Sequence, residues 1–415
     1  MPNESKSSDL SDPIPKNGIT LHQKKIEWKE YRLGDFVRVK HGFAFKGKNI
    51  TTEETSNVLV TPGNFYIGGG FKTDKFKYYR GDDFPIDYIL KEGSIVVTMT
   101  DLSKDSDTLG YSAKIPKSSK YRYLHNQRIG LVQFVGEGVC QDYVYWLLRT
   151  KEYQNYVVGS ASGTSIMHTS PSRIENYRCF FPPLEEQKRI ASILGSLDDK
   201  IDLLHRENAT LEAMAETLFR HHFIENSNPN WKEGKLGDEF EFTMGQSPAG
   251  DSFNEDGIGI PMFQGNADFG FRFPTKKVFT TRPTRLAKAN DTLISVRAPV
   301  GTQNMAIEEC CIGRGVAAFR YRKNPSFYSY TYYKLRALLE IIKQFDDNGT
   351  VFGSISKSDF ENIDILIPSE DEIESFQNQS KAIDDKIINN NYQIQTLTQT
   401  RNRLLQKLIS NKEME

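Results

Sequence analysis

The chain has 415 residues, of which 38% are hydrophobic, 12% aromatic and 26% charged, with a net charge of −1. That is the profile of a globular protein with room for two to four domains. It excludes a uniformly basic nucleic-acid-coating protein and a largely disordered one, and no apolar run reaches the ~18 residues of a membrane span.

Residues 1–20 are rich in Ser, Asp, Lys and Pro and lack the apolar centre of a signal peptide. They read as a flexible tail on a cytoplasmic protein. Trp28, Leu33, Gly34 and Asp35 then open a module that runs to Phe181 and Pro182. Within it, Gly42, Gly47, Lys48 and Asn49 have the spacing of a phosphate-binding loop, but Asn49 stands where a magnesium-binding Ser or Thr is required. The segment is read as a turn. Cys140, Cys179, Cys310 and Cys311 form no Cys-x-x-Cys pair, and no histidine lies at zinc spacing from them. They read as buried small hydrophobes, with no metal site.

Residues 185–223 carry no proline and would span ~58 Å as a helix. Steps of four and three pick out Ile190, Leu194, Leu197, Ile201, Leu204, Asn208, Leu211, Ala215 and Leu218. This 3.5-residue period predicts a coiled-coil seam, with Asn208 as a register-fixing polar residue.

The sequence then repeats. Trp231, Leu236, Gly237 and Asp238 match the opening motif at an offset of 203. From Arg128 and Arg314 onward the offset is 186: Gly163-Thr164 matches Gly349-Thr350, Glu175-Asn176 matches Glu361-Asn362, and Leu197-Asp198-Asp199-Lys200-Ile201 matches Ile383-Asp384-Asp385-Lys386-Ile387. The first copy therefore holds about 17 extra residues in its middle, while the two ends agree. Gly245 and Gly250 repeat the glycines of the phosphate-loop lookalike, but Asp251 replaces the lysine, so nucleotide binding is not expected. A second heptad stretch follows Pro368, with Ile383, Ile387, Ile394, Leu397 and Leu404 on its seam beside Asn390. Paired antiparallel, the two helices would relate the modules by a pseudo-twofold axis, which suits duplex DNA.

Charge is clustered. Residues 28–181 hold 21 Lys/Arg against 16 Asp/Glu, whereas residues 231–369 hold 17 of each. Runs 109–135 and 269–290 are basic and contain no acid. With aromatic and turn residues among them, they suit phosphate contact and base-edge reading. The candidate DNA contacts are Lys40, Lys46, Lys48, Lys114, Lys120, Arg122, Asn126 and Arg128 in the first module. In the second they are Gln246, Gln264, Asn266, Arg272, Lys276, Lys277, Arg297 and Arg314. Arg128 and Arg314 align, so pairing with a carboxylate in the scaffold stands beside DNA contact as a reading of both. No nucleophile–base set or dinucleotide fingerprint is found.

The duplicated Trp–Leu-Gly-Asp openings, the Gly-Thr pairs, the Asp-Asp-Lys-Ile heptad cores and the segment Pro183-Leu184-Glu185-Glu186-Gln187-Lys188-Arg189-Ile190-Ala191 resemble the specificity subunit of a type I restriction–modification enzyme. The second copy departs from that family at Ser369-Glu370-Asp371-Glu372, which leaves the start of its helix open. The resemblance implies an α+β chain of two similar mixed α/β target recognition domains, 21–183 and 227–368, joined by two long antiparallel coiled-coil helices, 184–226 and 369–415. It implies double-stranded DNA as ligand, with each domain reading half of a bipartite target and the helices setting the spacer. Two modification (methyltransferase) subunits using S-adenosylmethionine would dock on the helices. Restriction (endonuclease/translocase) subunits would add ATP- and Mg-dependent cleavage, and this chain would hold no cofactor itself. Two other readings are a protein–protein scaffold without DNA and an autonomous methyltransferase.

Overall fold

The computed structural model describes residues 27–409 except 74, 102–106, 164–165 and 348–353. The stretch read as a tail, and Thr164, Gly349 and Thr350 of the repeated Gly-Thr pair, lie outside the described residues. The chain divides into two compact units, Met1–Ser196 with Arg401–Glu415, and Leu197–Thr400.

In each unit the first strand of the repeat pairs antiparallel with its last. Lys29–Arg32 pairs with Arg178–Phe181, and Lys232–Lys235 with Asp364–Ile367. The recurring Leu-Gly-Asp has its reason here. Leu33 and Leu236 are fully buried. A Cβ on Gly34 would stand 2.9 Å from the Glu175 carbonyl oxygen, and one on Gly237 3.3 Å from Glu361. Asp35 and Asp238 accept the backbone N–H of Arg32 and Lys235 at 3.0 and 2.8 Å, capping the turn that follows.

Each unit also holds two larger sheets and several short helices. In the first, a four-stranded antiparallel sheet runs Val37–His41, Ile129–Phe134, Ile95–Thr98, Ser112–Lys114. Its counterpart in the second runs Phe240–Met244, Val316–Tyr321, Thr292–Ser295, Gln303–Met305. The five-stranded sheets are mixed. One is ordered Ile50–Thr51, Lys77–Tyr79, Asn57–Val60, Arg122–His125, Ile89–Leu90, and the other Phe253–Asn254, Val278–Thr280, Ile260–Phe263, Cys310–Ile312, Leu286–Ala287. Within each, one neighbouring pair is parallel. Strands Asn57–Val60 and Ile95–Thr98 are buried throughout and read as continuous rather than alternating apolar runs, because both of their faces are covered. Val58, Val60, Val96 and Ile129 fill the space between the sheets of the first unit; Phe263, Leu293, Ile312 and Val316 do so in the second. The extra residues of the first copy are spread over several connections: 80–88 stand against 281–285, 99–111 against 296–302, and 115–121 against 306–309.

The long helices are Leu184–Arg220, ending in a π-turn at His221–Glu225, and Glu370–Ile409. The second begins without the first copy's sequence. Ser369 and Glu372 cap it reciprocally, and Glu372 also accepts the indole N–H of Trp231 at 2.9 Å. In the first unit, Ile190, Ala191 and Leu194 share a core with Leu405 and Ile409. In the second, Ala215, Phe219 and Phe223 share one with Ile373, Phe376 and Ile387. The helices therefore pair antiparallel within each unit. Of the seam positions read from the sequence, Ile190, Leu194, Ile201, Leu204 and Ile387 are buried. Leu197, Leu211, Leu218, Ile383, Ile394, Leu397 and Leu404 are half-buried. The frame departs from a heptad after Ala215. Phe219, not Leu218, is the fully packed residue there, because this end of the helix meets a globular core in steps of four: Leu211, Ala215, Phe219, Phe223.

Asn208 and Asn390 face each other in the seam, 4% and 0% exposed, with the Asn390 amide donating to Asn208 Oδ1 at 2.8 Å and to Glu207 Oε2 at 3.0 Å. Replacing Asn390 by Leu strands the Asn208 amide, and a loss of about 1–3 kcal/mol is expected. Replacing both by Leu should recover stability above the single variant while loosening register. Melting curves on both variants check this; a double variant as unstable as the single one would contradict it.

Candidate nucleic-acid interface

A corner recurs in both units where the five-stranded sheet hands over to the four-stranded one. In the first unit it is the turn from Asn126 to Arg128, between strands Arg122–His125 and Ile129–Phe134. The segment that resembled a phosphate loop lies against it. Phe43 N–H donates to the His125 carbonyl at 2.8 Å, and Gln127 N–H donates to the Phe43 carbonyl at 2.9 Å. The glycine is required by that approach: a Cβ on Gly42 would stand 2.0 Å from the Asn126 carbonyl oxygen. Gly245 is in the same position, 2.1 Å from the Gly313 carbonyl oxygen. The shared glycines thus serve backbone packing, not a nucleotide.

The second unit gathers more side chains at its corner. Gln246 N–H donates to the Ile312 carbonyl at 3.0 Å, Gly313 N–H to the Phe263 carbonyl beside Gln264 at 2.8 Å, and Arg314 N–H to Ser247 Oγ at 3.3 Å. Ile312 N–H donates to the Arg285 carbonyl at 2.9 Å, which places Arg285 there too. Asn266 begins the short turn after Gln264, and the register of Met262 with Val278 brings Lys277 in at the Gln264 end. Arg297 follows Val296, whose N–H donates to the Gly315 carbonyl, and bridges to Ser354. Gln246, Gln264, Asn266, Lys277, Arg285, Arg297 and Arg314 are all exposed. The alignment of Arg128 with Arg314 is corrected by this geometry: Val296 N–H meets the Gly315 carbonyl as Met99 N–H meets that of Arg128, so the copies match here at an offset of 187, not 186, and Arg314 stands where Gln127 does. Arg285 and Gln127 are corner residues that the sequence reading omits; Arg285 falls in the acid-free run 269–290, and the only signal for Gln127 is its place beside Arg128.

The first unit brings together fewer of its predicted contacts. Arg128 and Lys48 are exposed and make no ion pair among the described residues. Lys46 is exposed and pairs with Asp83 at 2.8 Å, a hydrogen bond that raises the lysine pKa. Lys40 is half-buried, its Nζ 4.4 Å from the Tyr88 ring centre. Lys114 is half-buried and paired with Asp142 at 2.8 Å. Lys120 and Arg122, paired with Glu54 and Asp82, stand at the other end of strand Arg122–His125 from Arg128, roughly 13 Å away along a strand of four residues.

Two predicted contacts are corrected. Arg272 is 2% exposed and hydrogen-bonded to Asp384 Oδ1 at 2.7 Å, so it cannot meet a ligand at the surface. Asn126 is 8% exposed, and its Oδ1 accepts Arg128 N–H at 2.9 Å, shaping the turn instead of leaving it. The basic runs are acid-free only along the chain: Lys276 also pairs with Glu308, and Arg282 with Asp251. The exposed pairs hold their cations only weakly in water, so phosphate can displace the carboxylates.

Beneath the first corner, His125 is fully buried, its Nε2–H donating to the Ile129 carbonyl at 2.8 Å while Nδ1 has no hydrogen-bond partner among the described residues. Burial pushes its pKa down to about 4. Below pH ~6.5 the unfolded chain gains a proton that the folded unit refuses, so stability should fall as the pH drops from ~6.5 to ~4 and level off beneath. The loss is on the order of 3 kcal/mol at ~1.4 kcal/mol per pH unit. Urea unfolding from pH 7 to 4 should show this slope in the native chain and a flatter one in His125→Gln; identical slopes would contradict the assignment.

Among the described residues no group of His, Cys, Asp or Glu could hold a metal ion, and no helix is long and apolar enough to cross a membrane. Cys179, Cys310 and Cys311 are buried, with burial pushing Cys179 and Cys310 up to about 12.

The model of the type I restriction modification DNA specificity domain matches residues 25–213 and again 228–406. The putative type I restriction enzyme MjaX specificity subunit of Methanocaldococcus jannaschii is 31% identical over 308 residues, covering 70% of this chain and 72% of that one. The MjaIX specificity subunit of the same organism is 24% identical over 304 residues, 66% and 69% of the two chains. The crystal structure of the type-I restriction-modification system S subunit from M. genitalium shares the fold, with a TM-score of 0.57 at 17% identity over 94% of this chain and 98% of that one. The chain belongs to the type I restriction modification DNA specificity family, as a specificity subunit that recognises target DNA rather than carrying out catalysis.

Proposed function

We propose that each unit reads one half of a bipartite, asymmetric DNA sequence through its corner, and that the long helices set the unread spacer. The observation that carries this reading is that one backbone frame, fixed by Gly42 or Gly245, presents different side chains in the two copies. Arg128 with Gln127 lines the first. Arg314 with Gln246, Gln264 and Arg285 lines the second. Arg suits a bidentate contact to guanine and Gln one to adenine, so unlike corners favour unlike half-sites. Two modification subunits would dock on the helices and methylate adenine with S-adenosylmethionine. Restriction subunits would use ATP and Mg to translocate and cut.

Sequencing of methylated DNA from cells carrying this chain and its partners tests the reading. Two unlike half-sites with a constant gap are expected; one continuous or palindromic site would overturn it. One heptad added to both helices lengthens them by ~10 Å, so the gap should grow by about 3 bp at 3.4 Å each. An unchanged gap would remove the spacer role. The isolated chain should show no calorimetric binding of S-adenosylmethionine.

A further inference from the structure

In the second unit, the connection from Gln264 to Lys277 carries reading candidates at both ends and a buried guanidinium in its middle. Arg272 donates to Asp384 Oδ1 at 2.7 Å and to the Tyr333 hydroxyl at 3.3 Å, lies 3.3 Å from the Tyr332 ring centre, and stands 3.9 Å from Glu212. Asp384 is on the second long helix, Glu212 on the first, and the tyrosines on helix Tyr328–Ala337. One side chain thus ties the connection to three helices. The backbone around it is fastened as well. Met305 N–H donates to the Arg272 carbonyl at 2.9 Å, and Asn304 exchanges two hydrogen bonds with Gly270, at 3.2 and 2.9 Å.

The first unit holds its equivalent connection with a guanidinium from another element. Arg149, 5% exposed, donates to the carbonyls of Gly68 and Gly69 at 2.9 and 3.2 Å and to the Tyr145 hydroxyl at 2.6 Å, and stacks 4.5 Å from the Trp146 ring centre. Tyr145, Trp146 and Arg149 occupy in this copy the places of Tyr332, Tyr333 and Arg336. Both copies therefore set a guanidinium on an aromatic pair beneath the same connection, although the arginines come from different places in the sequence.

A buried ion network is a poor way to gain stability, since desolvation offsets most of the attraction. Here Glu212 Oε2, itself buried, accepts no hydrogen bond from any described residue. What such a network does well is fix geometry, and base reading requires side chains held to within about 0.5 Å. We propose that Arg272 and Arg149 are positioning residues for target reading: each fixes the connection that begins at its corner, and Arg272 makes that geometry depend on both long helices. This rests on the corners being the reading sites.

Asp384→Asn keeps the volume and one acceptor while removing the charge that orients Arg272. In complex with the modification subunits, this variant should melt within a few degrees of the native chain. Its discrimination between cognate sites and sites changed by one base in the second half should fall about 10-fold, with the first half unaffected. Arg272→Lys should retain the charge but lose the fork, giving the same half-specific loss. Arg149→Lys should give the mirror result. Unchanged discrimination in folded variants, or equal losses in both halves, would overturn the proposal. If Asp384→Asn does not fold, hydrogen exchange on the native complex decides. The hydrogen-bonded amides of Asp268, Phe269, Gly270 and Thr275 must be protected well beyond those of an exposed loop; loop-like exchange at these four would overturn it. The reading assignment fails separately, if Gln264→Ala and Arg314→Ala leave second-half discrimination intact.

Discussion

Arg272→Ala should cost the second unit about 3–5 kcal/mol, the effect of removing one partner of a buried ion network and leaving the other charges unpaired. Asp384 and Glu212 are 1% and 4% exposed, so water cannot replace the guanidinium without opening the packing around Tyr332 and Tyr333. Against a domain stability of ~5–15 kcal/mol, this is enough to melt the second unit well before the first. Arg336, also bonded to Glu212, spares that carboxylate part of the loss, so Asp384 carries most of the penalty. Combining Arg272→Met with Asp384→Leu should restore much of the stability, because an apolar pair of similar volume has no charge to desolvate. Denaturant unfolding of the full chain checks both. An Arg272→Ala variant within about 1 kcal/mol of native would show that the network is incidental.

Arg272 also shows what the sequence could not reveal. It was grouped with Lys276 and Lys277 because all three fall in a run without acid. Its partner Asp384 lies far along the chain, in the second heptad stretch, and only folding brings the two together. The same holds for Lys114, Lys120 and Lys276, whose carboxylates come from Asp142, Glu54 and Glu308. Charge patterning along a chain locates cations but not the acids that face them. The duplication, in contrast, was legible because its matched positions have local causes: the Leu-Gly-Asp cap, the glycines under the corner, and the apolar stripe of each helix. Seam residues could be read because a helix repeats its environment every turn. The drift after Ala215 could not be read, because Phe219 and Leu218 are equally apolar and only the shape of the core they meet distinguishes them.

Arg314→Ala should weaken binding to the cognate sequence by about 1–3 kcal/mol, or roughly 5- to 150-fold, if its fork reads a guanine edge, and should relax preference at one position of the second half. Arg128→Ala should do the same in the first half. Neither should change the melting temperature, since both side chains are exposed and make no ion pair among the described residues. A loss spread evenly over all sequences, with a salt dependence shallower by about one ion, would instead make the residue a phosphate contact. Lys46 provides the contrast. Its ammonium must leave Asp83 before it can reach a phosphate, so Lys46→Ala should cost less than Arg128→Ala. Asp83→Asn should strengthen binding, because it removes a competing anion and leaves the cation in place. Affinities measured at two salt concentrations on matched and single-base-changed duplexes separate these outcomes. If Arg128→Ala and Arg314→Ala both leave affinity and preference unchanged, the two arginines belong to the scaffold and the corners are not where the bases are read.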